Sequence, residues 1–301
     1  MKILITGATG LIGTQLCAQL VKTHSLTVLT RDSDKAKQKL GGQIDFINAL
    51  YDIDFNTLDC VINLAGEPIV NKRWSDKQKE IIRNSRIELT QEITAAIKSS
   101  STPPHTFISG SAIGYYGRQG TQQIDEEFTQ VHKEFSHTLC NDWENAARDA
   151  ETESTRVCLI RTGIVLSTNG GALQKMLPPF KLGLGGPVAS GEQGMSWIHI
   201  NDMVSLIEFV MNNQHLTGAI NATAPTPHSN RAFSKTLAKV LHRPAIFPMP
   251  AWVLNIAMGE MADLLIFGQY VVPNKLLDAG FEFQYPELQR AFETLLDKKA
   301  Q

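Results

Sequence analysis

The chain is short of the features that mark a metal scaffold, a membrane span or a nucleic-acid binder. Its 301 residues contain only four cysteines, Cys17, Cys60, Cys140 and Cys158, far apart and without a CxxC pair. Such spacing argues against a zinc site or a disulfide framework and fits a reducing, cytoplasmic setting. No metal is expected. A surplus of one charge is missing too, since 28 Lys+Arg oppose 30 Asp+Glu for a balance of −2. That leaves no overall electrostatic footprint for nucleic acid. No apolar run approaches the roughly 18 residues needed to cross a bilayer. The leading apolar stretch stops after Ile5 and is too short for a signal-peptide core. Neither nucleic acid nor membrane is therefore expected as a partner. At 43% apolar and 19% charged, the composition is that of a folded globular protein with room for two lobes.

What is present is a repeating alternation over about the first 165 residues. Short runs at 2–6, 26–30, 45–48, 60–64, 106–109 and 157–160 read as strands. Helix-period segments lie between them, carrying Ile12, Leu16 and Leu20, then Ile82, Leu89, Ile93 and Ile97 from near Ser75. A third carries Phe135, Leu139, Trp143, Ala146 and Ala150. Strands separated by such helices predict an α/β fold, a doubly wound parallel sheet of Rossmann type. After Arg161 the texture changes, and residues 167–197 are rich in glycine and proline. Long loops of this kind usually carry function. A helix near 203–213 and a strand at 219–223 are expected to return to the sheet. From about Pro225 the chain reads as helical, ending in an amphipathic helix with Leu288, Phe292 and Leu295. The expected division is a nucleotide-binding domain over 1–165, completed by the 219–223 strand, and a smaller, mostly helical substrate lobe over 166–301.

Gly7-Ala8-Thr9-Gly10-Leu11-Ile12-Gly13 stands directly after the first strand and opens the first helix. Glycines at that spacing permit a tight turn, close backbone approach to a pyrophosphate and close helix–strand packing. The helix N-terminus adds free N–H groups and a positive dipole end. The strand–turn–helix setting makes the motif a dinucleotide site. Thr30-Arg31-Asp32 at the end of the second strand selects the nucleotide. Neutral Thr30 stands where an NAD enzyme places an acid for the ribose 2′-OH, and Arg31 can fork onto a 2′-phosphate. NADP(H) is therefore favoured over NAD(H). The competing reading is a solvated Arg31–Asp32 pair.

Further motifs extend the picture over nearly the whole length. They are Asn63-Leu64-Ala65-Gly66 after the fourth strand, Ser109-Gly110-Ser111 after the fifth, and Trp197-Ile198-His199-Ile200-Asn201-Asp202 before a late helix. Leu276-Leu277-Asp278-Ala279-Gly280-Phe281 lies near the end. With these, the chain resembles the extended short-chain dehydrogenase/reductases, the superfamily of sugar epimerases and dehydratases. More narrowly it is similar to an atypical subgroup called epimerase family proteins. That resemblance rests on Glu67, Arg73-Trp74, Ser85-Arg86, Gly114-Tyr115-Tyr116-Gly117, Asp142-Trp143-Glu144, residues 182–187 and a C-terminal unit at about 249–297. It implies a nicotinamide cofactor and a small-molecule substrate. It implies further that Leu64, Ala65, Gly66, Ser109 and Ile164 line the cofactor, and that helices near 76–98 and 134–151 can pair in a homodimer.

One part of the superfamily's chemistry is absent. Reactive members place Tyr and Lys four apart on one helix face, where the cation lowers the phenol's pKa and holds the nicotinamide ribose. Four residues after Tyr51, Tyr115, Tyr116, Tyr270 and Tyr285 stand Phe55, Gln119, Gly120, Asn274 and Gln289. The register of the helix where the pair belongs offers Ser136 and Cys140, or their neighbours Phe135 and Leu139. Ser111 keeps the superfamily's serine position. Tyr115 or Tyr116 is then either a proton relay or an aromatic wall of the pocket. Arg86 is open between a cation for a cofactor phosphate or substrate carboxylate and a surface helix arginine. His199 reads as a satisfied core histidine, Asp202 as a helix cap, Cys140 as an inert buried thiol. Glu144 reads as a structural partner of a backbone group or arginine, and residues 185–187 as shaping the substrate mouth. The expected function is an NADP-dependent oxidoreductase or epimerase-like enzyme with atypical acid–base chemistry. The alternative is an NADP(H)-binding sensor or scaffold.

Overall fold

A computed structural model describes residues 1–297; residues 298–301 of the expected substrate lobe lie outside the described residues. The strands are β1 (Lys2–Thr6), β2 (Ser25–Leu29), β3 (Asp45–Ile47), β4 (Cys60–Asn63), β5 (Thr106–Ala112), β6 (Gln123–Ile124) and β7 (Arg156–Thr162). They continue as β8 (Ile164–Leu166), β9 (Gly194–Met195), β10 (Trp197–His199), β11 (Gly218–Ala222), β12 (His228–Ser229) and β13 (Tyr270–Val271). The helices are α1 (Leu11–Leu20), α2 (Ser33–Leu40), α3 (Asp76–Ser99), α4 (Phe135–Arg148), α5 (Gly171–Lys181) and α6 (Ile200–Asn212). Those of the C-terminal part are α7 (Asn230–Val240), α8 (Ala251–Met258), α9 (Asp263–Ile266), α10 (Asn274–Asp278) and α11 (Leu288–Leu296).

Seven strands form one parallel sheet in the order β11-β7-β5-β4-β1-β2-β3. The winding reverses between β1 and β4, and in open α/β sheets ligands bind at the carboxyl ends of the strands flanking that point. Period-2 geometry explains why the strands read as continuous apolar runs. Ile3 and Ile5 face one core with Leu16, Leu20, Met203 and Ile207 of α1 and α6. Leu4, between them, faces a second core with Ile93, Phe107 and Leu159. Each such side chain contributes about 1.5–3 kcal/mol on burial. A third core, with Trp197, Phe233 and Phe292, holds α5, α7 and α11 together in the C-terminal part. No helix among the described residues is long and apolar enough to cross a membrane.

Several expectations change. Residues 167–197 are not one long loop, since α5 forms within them. Strand β5 continues through Ala112 because its pairing with β7 extends to Ala112↔Thr162, so Ser109, Gly110 and Ser111 lie within the strand. Ala150 falls beyond the end of α4 at Arg148. Asp202 does not cap α6, which starts at Ile200 and is capped by His199 Nδ1 accepting from the Asn201 N–H. Buried Asp202 instead accepts from the backbone N–H groups of Gln284 (2.8 Å) and Tyr285 (3.0 Å), tying the C-terminal segment to α6.

His199 is only half satisfied, since its buried Nε2 finds no partner among the described residues. Its ring stacks on Tyr285 at 3.8 Å, and burial pulls the imidazole down to about 4. A folded-state pKa below the unfolded value near 6.5 means that acid protonates the unfolded chain first. The associated stability is complete above about pH 6.5 and is lost as pH falls toward 4, by about 3 kcal/mol in all. Denaturation midpoints measured across that window should fall for the wild type. They should fall less for His199→Asn, which keeps an acceptor near the Asn201 N–H but does not titrate.

Candidate cofactor crevice and active site

The glycine loop is built so that its backbone lies bare. Gly7 adopts φ +68°, and a Cβ there would lie 2.5 Å from the carbonyl carbon and oxygen of Leu64. A Cβ at Gly13 would lie 2.4 Å from the Gly7 oxygen and 2.6 Å from Ala8 Cα. Both positions therefore admit only glycine, and α1 begins pressed beneath the loop. Thr9 and Gly10 are exposed, the N-terminus of α1 has no side-chain cap, and its first turn has no acid. Leu11 packs over Gly170 and Gly171, and Ile12 packs on the core. An uncapped helix N-terminus with unhindered N–H groups receives a pyrophosphate without rearrangement. The cradle fits a dinucleotide. Lys39, unforeseen from the sequence, donates from Nζ to the Thr9 carbonyl at 2.7 Å and brings a cation to the same loop.

At the end of β2 the Arg31–Asp32 pair is not made. Asp32 caps α2 through the Lys35 N–H (3.1 Å) and pairs with Lys35 Nζ at 2.9 Å. Thr30 lies within hydrogen-bond reach of the Asp32 N–H at 3.3 Å. Arg31 is exposed and makes no hydrogen bond or ion pair among the described residues.

Leu64, Ala65 and Gly66 follow β4 along the crevice, held against α3 by Arg86. Its guanidinium donates to the carbonyls of Glu67 (3.0 Å) and Ile82 (2.9 Å) and lies 5.3 Å from the Trp143 ring. A Cβ on Gly66 would meet Arg86 Cζ at 2.8 Å. Arg86 is half-buried with no ion pair among the described residues, and burial draws its pKa below the usual arginine range. It is not a free surface arginine.

A buried polar network crosses the carboxyl ends of β5, β7 and β11. Glu144 accepts from Arg161 Nε (2.8 Å) and Nη2 (2.9 Å), from Arg148 (3.0 Å) and from the Ser111 hydroxyl (2.8 Å). Arg161 Nη1 also donates to the Tyr116 oxygen at 3.0 Å, and Tyr116 in turn reaches Asn221 Oδ1 at 2.8 Å. Ser111↔Arg161 and Arg161↔Asn221 are register neighbours, which brings the three strand ends into one network. Tyr116 is therefore a structural phenol and not an exposed relay. It is fully buried, and burial pushes it up to about 12. Tyr115 differs. Its ring lies over the Arg161 guanidinium at 3.5 Å, and its hydroxyl makes no hydrogen bond among the described residues.

Ser136 and Cys140 of α4 face the 3₁₀ turn Ile113–Tyr116, since a Cβ on Gly114 would lie 3.2 Å from Ser136 Cβ and 3.6 Å from Cys140 Sγ. Burial pushes the Cys140 thiol up to about 12, which suits an inert thiol. Ser109 is fully buried within β5, and Ile164 pairs with Trp197 in the β8–β10 ribbon. The 185–187 loop packs on Phe180 and Phe247. Arg161 and Asn221 were missed from sequence. A cation closing the apolar run of β7 was the available signal for Arg161.

A glycine-cradled crevice at the switch point of a doubly wound sheet defines a dinucleotide-binding protein. The chain belongs to the NAD dependent epimerase/dehydratase family, whose profile matches residues 3–222. Residues 249–295 match a domain of unknown function, DUF1731. An epimerase family protein of Staphylococcus aureus (strain MRSA252) is 36% identical over 297 residues, covering 98% of this chain and 99% of that one. A Staphylococcus haemolyticus epimerase family protein is 38% identical over 298 residues, 98% of each. The crystal structure of human epimerase family protein SDR39U1 with NADPH is similar at a TM-score of 0.90 and 33% identity, covering 99% of this chain and 100% of that one.

Proposed function

We propose that the chain is an oxidoreductase or epimerase-like enzyme that binds NADP(H) in preference to NAD(H) and acts on a small polar substrate. The observation that carries the cofactor preference is the unengaged Arg31 at the end of β2, beside an Asp32 already committed to Lys35. Lys39 at the glycine loop and the NADPH of the human relative support the same reading. The nicotinamide, when bound, supplies or accepts the hydride. The loop N–H groups hold the pyrophosphate, Arg31 takes the 2′-phosphate, and the unbonded Tyr115 hydroxyl carries the proton to or from the substrate oxygen. Arg161 and Glu144 hold the Tyr115 ring and Ser111 in place beneath it. Arg31→Ala should weaken NADPH binding about 10–150-fold, the loss of a charge-assisted contact of about 1.5–3 kcal/mol, and spare NADH. Equal losses for both nucleotides in a calorimetric titration would sink the 2′-phosphate reading.

The second reading, a nucleotide-binding sensor, is favoured by Ser136 and Cys140 on the α4 face where a Tyr/Lys pair would stand. Deuterium transfer from labelled NADPH to any carbonyl substrate decides for the enzyme. Tight NADPH binding with no turnover across a broad panel decides for the sensor. The proposal also takes the chain as a cytoplasmic homodimer paired through α3 and α4. A monomer in sedimentation velocity removes that part.

A further inference from the structure

The balance of −2 conceals a strong segregation of charge. Residues 154–191 and 209–259 contain none of the 30 Asp and Glu but eight of the 28 Lys and Arg, of which Arg161 is buried on Glu144 and Arg156 donates to backbone carbonyls. Arg231, Lys235 and Lys239 recur every fourth residue and are exposed along one face of α7, with Arg231 paired to Glu192 at 3.1 Å. Just beyond, exposed Arg243 donates from Nε to the Lys181 carbonyl at 2.8 Å and joins two acid-free segments. Those segments carry Leu182 and Leu184, Ile246 and Phe247, Trp252 and Ile256, each between 52 and 74% exposed. Backbone bonds zip the segments together, from the Met249 N–H to the Pro187 carbonyl and from the Ala189 N–H to the Met249 carbonyl. Gly183 lies against the Pro244 ring. Trp252 and Ile256 share the outer face of α8, away from buried Leu254.

Single exposed apolar residues need no explanation, but a zipped group of this kind marks a contact surface. A second copy docked through the same face would offer no carboxylate from these segments to Lys181 or Arg243, because the segments that form the face contain no acid. An anionic bilayer satisfies both features at once. Trp, Phe, Ile and Leu side chains enter the headgroup–acyl boundary while Lys and Arg sit over anionic headgroups. We propose that the face formed by 181–184, 243–247 and α8 docks on an anionic lipid surface. This revises the expectation of no membrane partner, which rested on net charge and the lack of a spanning run. Neither of those describes a local surface. The proposal is independent of the cofactor reading.

The test uses the full chain with phosphatidylcholine vesicles prepared with and without phosphatidylglycerol. Co-sedimentation should require phosphatidylglycerol and weaken as salt is raised. The emission of Trp252 should shift to the blue on binding, and this shift should vanish in Trp252→Phe. Arg243→Gln and Lys181→Gln should each weaken binding about fivefold, and Trp252→Ser with Ile256→Ser should abolish it. Unchanged circular dichroism and denaturation midpoints establish that these variants are folded. Equal binding to neutral vesicles, or none to either kind, overturns the proposal. So does concentration-dependent self-association that the Trp252→Ser, Ile256→Ser pair removes without any vesicle binding.

Discussion

Glu144→Gln is expected to destabilise the fold by about 3–5 kcal/mol, seen as a lower denaturant midpoint at constant slope. The carboxylate is buried and accepts four hydrogen bonds, two of them from Arg161, whose side chain is also buried. Removing one partner of a buried ion pair leaves the other charge desolvated and uncompensated, and that residue of cost exceeds the net worth of the pair. Replacing both partners by apolar groups removes the stranded charge. Glu144→Leu with Arg161→Met should therefore recover much of the loss in a double-mutant cycle. In the Leu/Met variant Ser111 loses its Glu144 acceptor and Tyr116 loses the Arg161 donor while keeping Asn221, so proton transfer at Tyr115, whose ring lies over Arg161, should suffer even where stability returns. A Glu144→Gln variant within 1 kcal/mol of wild type would show that the network is not the buried pair described.

Gly7→Ala should be damaging in a different currency. The +68° φ costs an alanine roughly 1–2 kcal/mol, and its Cβ overlap with Leu64, at 2.5 Å, adds about 1–3 kcal/mol. The overlap is with backbone, so relief requires the loop to move away from β4. Losing two aligned charge-assisted N–H contacts to a pyrophosphate should weaken NADPH binding about 100-fold or more. Gly41→Ala is the internal control. Its φ is also positive, at +91°, but nothing lies within 4 Å of the added Cβ. It should cost only the conformational share and leave the nucleotide affinity intact. Loss of NADPH binding in Gly41→Ala as well would mean that global destabilisation, not loop geometry, is being read.

Much of the architecture was legible because it is written in local periodicity. The apolar runs of β1, β4 and β7 and the 3.6-residue patterns of α1, α3 and α4 are each decided within a few residues. The glycine loop is legible for the same reason, since its three glycines, preceding strand and following helix are contiguous in the chain. The strand end at Ala112 was not, because what prolongs β5 is pairing with β7, some 50 residues away. Asp202 illustrates the same limit. A short acid before a helical pattern is a cap by propensity, yet here the backbone of Gln284 and Tyr285 claims it.

The sequence by itself determined the family, the doubly wound fold, the dinucleotide cradle and the absence of a Tyr-x-x-x-Lys pair. All of these depend on residue identity at fixed spacing. Only the tertiary structure separated two adjacent phenols, burying Tyr116 against Arg161 and Asn221 and leaving the Tyr115 hydroxyl without a hydrogen bond among the described residues. Only it showed that Arg86 holds the 65–67 loop through the Glu67 carbonyl and that Lys39 reaches Thr9. It also gathered acid-free segments, distant in the chain, into one apolar and cationic face. The physical reason is common to these cases. Burial, hydrogen-bond partnership and the charge of a surface are set by which distant segments meet, and no local pattern encodes that meeting.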